Sequence, residues 1–350
     1  MDSQQHIADQ VREAVESRTA LALRGGGSKA FLGEATQGDT LELAGHSGVV
    51  DYDPGELVIT CRAGVPLAEI RELLASNGQH LPFDPPAFGD SATIGGTVAC
   101  GLSGPGRPWA GSLRDYLLGV KIVNGKGEVL SFGGQVMKNV AGYDVSRLMA
   151  GSMGTLGVIL EASFKVLPRP AKELTLAFEC AQQDAIQQVA SWSARPIPLS
   201  AASWSNGRLK VRLSGATTET EKAARSMSPD ECTDDTEHWL DLREHRDGFF
   251  KNETPLWRLS LPATTPPLDL EGHCLLDWGG AQRWYSGPES EASIRETVEA
   301  CGGHATLFRG DNAVPRFHPL PKAMRLLQDR IRQAFDPHGL FNPGLMGPAA

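Results

Sequence analysis

The chain has 350 residues, 41% of them hydrophobic and 21% charged, enough to bury the cores of two compact domains. Its net charge of −9, with no basic tract, argues against a nucleic-acid surface. No stretch approaches the roughly 18 uninterrupted apolar residues of a membrane span, and the six cysteines show no C-x-x-C spacing, so neither a zinc nor an iron–sulfur site is legible.

The opening MDSQQHIADQVREAVESR has helical period, with Ile7, Val11, Ala14 and Val15 on one face. It lacks the apolar centre of a signal peptide, so a cytoplasmic chain with reduced thiols is expected. An apolar strand, TALALR, then runs into Gly25, Gly26 and Gly27. Gly25, Gly27 and Ala30 fit G-x-G-x-x-G/A formally, but Gly33 and Gly38 interrupt the long helix that a dinucleotide βαβ unit needs. A strand–loop–strand is expected instead, with the amides of Gly25, Gly26, Gly27 and Ser28 forming an anion nest. Strands are expected at residues 48–52 and 57–62, and a helix at 66–76 between Pro66 and Asn77-Gly78.

The densest glycine passage covers residues 81–119. Thr93 can cap a short helix beginning at Ile94, which predicts bare first-turn amides at Gly95 and Gly96. Beyond it, Asn124-Gly125-Lys126-Gly127 marks a hairpin, Asp144 caps a helix ending at Gly151, and residues 152–157 lead into the strand VILEASFKVL. A turn without any ligand explains one such loop. Three in one half-chain favour a shared cradle for a large, flat, phosphate-bearing cofactor.

After residue 171 the chain changes character. The strands TLAFEC, LKVRLSG, LWRLSLP and HCLLDWGG alternate with helices at 184–193, 219–227 and 289–301, and DECTDDTEHW reads as a solvated loop. Six of the seven tryptophans follow Ala190 and read as core and interface. A last helix is expected at 321–335. The layout is α+β rather than repeated βαβ.

Arg24-Gly25-Gly26-Gly27-Ser28, Thr93-Ile94-Gly95-Gly96, Lys138-Asn139-Val140-Ala141-Gly142-Tyr143-Asp144, Gly154-Thr155-Leu156-Gly157 and Phe341-Asn342-Pro343-Gly344 resemble the vanillyl-alcohol-oxidase-type flavoproteins. Within that family the chain looks most like the FAD-binding subunits of bacterial glycolate-oxidising complexes. The resemblance implies a PCMH-type FAD-binding domain of two α+β subdomains over residues 1–170, a smaller α+β cap over 171–320, and a tail over 321–350 returning to the first. It implies pyrophosphate on Gly25–Ser28, with Arg24 and Lys29 in the same set. The isoalloxazine is implied near Pro85, Thr93, Ile94, Gly95, Gly96, Gly101, Gly104, Gly111 and Ser112, and the adenine side against Gly157 and Ile159. Some relatives attach the flavin through a histidine where Ser28 and Lys29 stand, so the FAD here is expected to be non-covalent. Implied partners are a catalytic flavoprotein subunit and an iron–sulfur subunit, with only peripheral contact with the inner membrane. No metal is expected, because residues 302–314 lack the family's histidine-rich metal motif.

Oxidising a small 2-hydroxy acid takes a cation for the carboxylate, a base for the hydroxyl proton and a hydride acceptor. Arg258, Arg309 and Arg283 are candidate clamps; His304, His273 and His318 are candidate bases. Tyr143 and Lys138 read equally well as packing and surface cover. Two other readings stay open at this level: a self-sufficient FAD-linked D-2-hydroxy-acid dehydrogenase, and a structural subunit with a vestigial flavin site.

Overall fold

The computed structural model describes residues 3–34, 36–134, 144–251, 255–311 and 314–347. Residues 138–143 of the expected Lys138–Asp144 motif, Tyr143 among them, lie outside the described residues. The chain forms two compact units. One comprises Met1–Leu102, Ser112–Pro168 and Pro319–Ala350; the other comprises Ser103–Gly111 and Arg169–His318.

In the first unit, α1 (Ser3–Ser17) buries Ile7, Ala8, Val11 and Ala14, the stripe its period requires. β1 (Leu21–Arg24) pairs in parallel with β2 (Asp39–Glu42). β3 (Val49–Asp53) and β4 (Val58–Arg62) form a hairpin whose turn is closed by Asp53, which accepts from the Gly55 and Glu56 amides. α2 (Leu67–Ser76) buries Leu67, Ile70 and Leu74 one above another. A short β5 (Gln79–His80) precedes α3 (Ile94–Cys100).

The excursion containing α4 (Arg107–Ala110) belongs to the second unit. The chain then returns through α5 (Leu113–Tyr116), β6 (Leu117–Val123), β7 (Val129–Gly133), α6 (Val145–Met149), β8 (Val158–Lys165) and β9 (Leu167–Pro168). Five strands make an antiparallel sheet in the order β3-β4-β8-β6-β7. β8 sits in its middle with six of eight residues buried, because α2 and α3 pack on one side and α1 with β1 on the other.

The second unit is built on an eight-stranded sheet: β10 (Lys172–Glu179), β11 (Leu199–Ser205), β12 (Arg208–Gly215), β13 (Glu231–Thr233), β14 (Leu256–Ser260), β15 (His273–Asp277), β16 (Gln282–Ser286) and β17 (His304–Arg309). The strand order is β13-β10-β12-β11-β15-β16-β14-β17, with every pairing antiparallel. α7 (Gln182–Ser193) and α8 (Thr217–Met227) accompany one half, and α10 (Glu291–Ala300) the other.

Two sequence expectations change here. DECTDDTEHW is largely exposed as expected but is not a loop: it holds β13 and opens α9 (Glu237–Arg243). Trp239 anchors it, 2% exposed, donating its indole N–H to Thr175 Oγ1 at 2.9 Å. HCLLDWGG is not one strand either, because Trp278, Gly279 and Gly280 all take left-handed φ and turn the chain into β16. In the first unit, α11 (Lys322–Phe335) follows, and the tail after it bonds to β1 through Leu21 N–H to Leu340 O and Asn342 N–H to Leu21 O.

Candidate functional site

β1 delivers the chain into the loop Gly25–Ser28 at the edge of the first unit. Among the described residues, none of the main-chain N–H groups of Gly25, Gly26, Gly27 and Ser28 finds an acceptor. Four successive donors without partners make an anion-binding concavity. Two of these glycines are obligatory. A methyl on Gly26 would land on the Ser91 carbonyl oxygen, and Gly27 sits at φ 72. A methyl on Gly25 would stand 2.6 Å from Thr93 Oγ1, so the first and second glycine passages pack directly together.

α3 begins where its sequence suggests and with the expected cap. Thr93 caps it, accepting from Gly96 N–H at 3.3 Å. The expected bare amides are absent. Ile94 N–H donates to Val65 O at 2.9 Å and Gly95 N–H to Ala63 O at 2.7 Å, so residues just beyond β4 satisfy the first turn. Gly95 and Gly96 therefore offer a close backbone surface and no anion donors.

Asn342 holds the third passage. Its Oδ1 accepts from Leu23 N–H at 2.7 Å and its Nδ2 donates to Met153 O at 2.8 Å. One buried amide thus ties the end of β1 to the loop before β8 from the C-terminal tail.

These passages enclose one cavity of ≈ 560 Å³, within the size range of cofactor pockets. It is lined by eleven of the residues expected from sequence: Arg24, Gly25, Gly26, Gly27, Ser28, Lys29, Thr93, Gly95, Gly96, Gly157 and Ile159. Lys29 is 8% exposed, with Nζ 3.1 Å from Ala87 O and 3.4 Å from Ser28 Oγ, and places a cation beside the nest. Arg24 reaches Glu42 at 4.0 Å on the exposed side. Burial pushes the Cys100 thiol up to about 11 although Lys29 pulls it down, so the cavity wall there is a neutral sulfhydryl. Sequence reasoning missed Cys100, Met153, Asn342 and Leu345 as lining residues. Only Asn342, in the Phe341–Gly344 motif, carried any signal.

Four other expected residues stand in the same unit outside the lining. Pro85 is buried with its carbonyl accepting from Arg71. Ile94 is wholly core, and Gly101 closes α3 at φ 62. Ser112 makes a capping box with Asp115. Burial opposes the charge on Asp115, yet the Ser112 bonds with Arg147 and Arg114 nearby hold its carboxyl below the usual range. Gly104 and Gly111 belong to the second unit, where Gly104 O accepts the Trp278 indole N–H at 3.0 Å and Gly111 ends α4 at φ 99.

In the second unit, strand pairing brings Arg258 and His304 to one sheet face. Pairing sets Arg258 opposite Trp284 and Thr306, and Ser260 opposite His304. No described carboxylate comes within ion-pair distance of Arg258, and burial with the Arg107 guanidinium pulls its pKa down to about 10. His304, exposed at the start of β17, is nonetheless shifted downward by partial burial, Arg258 and His318. Burial, Arg309 and Arg258 depress His245 further, and its ring stacks on Phe250 at 3.9 Å. The result is a cation-rich face suited to an anion. Arg283 is different: its guanidinium is bonded to the carbonyls of Gly280, Pro266 and Thr265 and is structural. His273 is exposed at the start of β15, and His318 lies 3.9 Å from Glu299.

Residues 1–133 match the family model described as an FAD binding domain. Four unmet amides, a buried lysine and a cavity shared by three glycine passages fit the pyrophosphate-bearing FAD on geometric grounds as well. Glycolate oxidase subunit GlcE of Escherichia coli (strain K12) is 45% identical over 346 residues, 99% of this chain and 97% of that protein. Glycolate oxidase subunit GlcD of Bacillus subtilis (strain 168) is 34% identical over 178 residues, half of this chain and 38% of that one. Among solved structures, alkyldihydroxyacetonephosphate synthase superposes with a TM-score of 0.66 at 16% identity, covering 96% of this chain and 75% of that one, a likeness of fold alone. The chain belongs to the family of glycolate oxidase subunit GlcE and is an FAD-binding flavoprotein of the 2-hydroxy-acid oxidoreductases.

Proposed function

We propose that this chain is the FAD-binding subunit of a complex that oxidises glycolate to glyoxylate, releasing two electrons and two protons. The observation that carries this is the run of four unpartnered amides facing a cavity formed by three distant glycine passages, in a chain similar to GlcE from end to end. FAD, when bound, supplies the acceptor for the hydride equivalent. Gly25–Ser28 hold its pyrophosphate with Lys29 as counter-cation, and no residue of that loop forms a covalent link to it. Gly95, Gly96, Gly157 and Ile159 supply close-packed wall that excludes water.

In the second unit, Arg258 attracts the substrate carboxylate, since a buried guanidinium with no described carboxylate at ion-pair distance favours an incoming anion, and Arg309 adds positive charge to the same unit. His304, whose pKa burial and Arg258 lower, accepts the hydroxyl proton in this reading. The described cysteines are unpaired and dispersed in sequence, so an iron–sulfur subunit carries the electrons onward to a membrane quinone, beside a second flavoprotein subunit. No described helix is long and apolar enough to cross a membrane, in keeping with peripheral attachment.

Anaerobic titration with glycolate tests the reading. The isolated chain is expected to purify yellow with acid-releasable flavin, and the assembled complex to bleach on glycolate. A colourless chain that ignores added FAD, or a complex that bleaches with no 2-hydroxy acid, would overturn it.

A further inference from the structure

α11 carries one apolar line, Met324, Leu327, Ile331 and Phe335, at the i, i+3, i+7 and i+11 spacing of a single helix face, and Leu320 lies in the extended segment just before it. The two ends of that line have opposite fates. Ile331 and Phe335 pack on the core of the first unit, and the Phe335 ring stands 6.4 Å from Phe132. Every residue from 319 to 328 is exposed. Met324 is 49%, Leu326 51%, Leu327 50% and Leu320 38% exposed, four of the six exposed large hydrophobics among the described residues.

The apolar side chains of the first two turns are left about half in water, so covering them would stabilise that end of the helix, as packing on the core does the other. The overhang therefore looks outward for what its other half finds inside.

Charge narrows the occupant. Lys322, Arg325, Arg330 and Arg332 against Asp329 give the helix +3, while the whole chain is −9, leaving −12 on the remainder. A two-fold contact between copies would press two +3 helices together. An anionic bilayer would draw in the helix but repel the −12 body, and two turns offer little apolar depth to offset that. An apolar groove with an acidic rim on another protein matches both the stripe and its flanks.

We propose that the first two turns of α11, with Met324 and Leu327 as anchors, Arg325 on the flank and the exposed Leu320 just ahead of the helix, dock this chain into an acidic-rimmed apolar groove of a partner subunit. This rests on the chain being one subunit of a complex.

The test is co-expression of the full chain with the second flavoprotein and iron–sulfur subunits, with an affinity tag on this chain. Wild type is expected to retain both or either partner. Met324→Glu with Leu327→Glu should cut recovery of the partner by at least about tenfold. Arg325→Glu should cut it several-fold, with the loss shrinking at high salt. Flavin content and thermal melting of the doubly substituted chain on its own should match wild type, since neither residue is buried. Unchanged recovery with the double variant overturns the docking inference alone. Wild type that captures neither partner overturns the complex reading and this inference together. Two further outcomes would also overturn the inference: a dimer of the isolated chain, or binding to phosphatidylglycerol vesicles, in either case abolished by the double variant.

Discussion

At residue scale, the proposed cofactor loop depends on atoms that are missing rather than present. Gly26 lies so close to Ser91 O that even a methyl group has nowhere to go, and the obstacle is backbone. Gly26→Ala is expected to yield protein without flavin, read as the absorbance ratio after purification; full flavin content in that variant would show the nest to be irrelevant. Asn342 works in the opposite sense, through what it adds. Asn342→Ala leaves Leu23 N–H and Met153 C=O without partners beside a buried position, at a cost of about 2 kcal/mol or more. Urea unfolding reads this directly, and a change of only a few tenths would mean that water replaces both bonds.

At the scale of elements, the second unit has a pH sensitivity that follows from its buried histidines. Burial, with Lys210 adding to it, pushes His238 down to about 4, and its Nε2 lies 2.9 Å from Ser203 Oγ. The unfolded chain takes up a proton near the ordinary value of about 6.5, which the folded ring refuses until about 4. The histidine's contribution to stability is therefore complete above about pH 6.5 and is lost as pH falls toward 4. His238→Gln, which keeps a donor and acceptor near Ser203, should flatten that loss in urea midpoints measured from pH 7 to pH 4.5. Equal slopes in variant and wild type would remove His238 as the source. Asp277 runs the other way: burial lifts it to about 7, so its contribution favours the folded state at lower pH and is lost as pH rises toward 7.

Sequence and structure agree closely for elements whose signal is local. The α1 stripe, the Asp53 turn, the Thr93 and Asp144 caps and the α2 boundaries are written within a few residues of where they act. β11 and β16 escaped notice. LSAASWS is rich in small residues without β-branched pattern, and the left-handed Trp278-Gly279-Gly280 turn hides a strand boundary inside an apolar run. α9 escaped because one tryptophan outweighs the acidic residues around it.

At the scale of the whole molecule, the cavity proposed for the flavin and the cation-rich sheet face arise in different units. Arg258→Met should lower kcat/KM for glycolate by about 10²-fold in the assembled complex, a loss of about 2–3 kcal/mol, with flavin content unchanged. Arg258→Lys should recover part of it, since the charge remains while the bidentate fork is gone. A variant with wild-type kinetics would move the carboxylate site elsewhere.

The sequence by itself determined the α+β class, the glycine passages and the family, because each is carried by residue types at short spacing. Tertiary structure decided which of those glycines present free donors. Gly95 offers an amide just as Gly26 does, yet Ala63 O, more than thirty positions earlier, takes the first and nothing takes the second. A sequence displays every donor, but a donor is free only if no acceptor from elsewhere in the chain arrives, and that depends on folding.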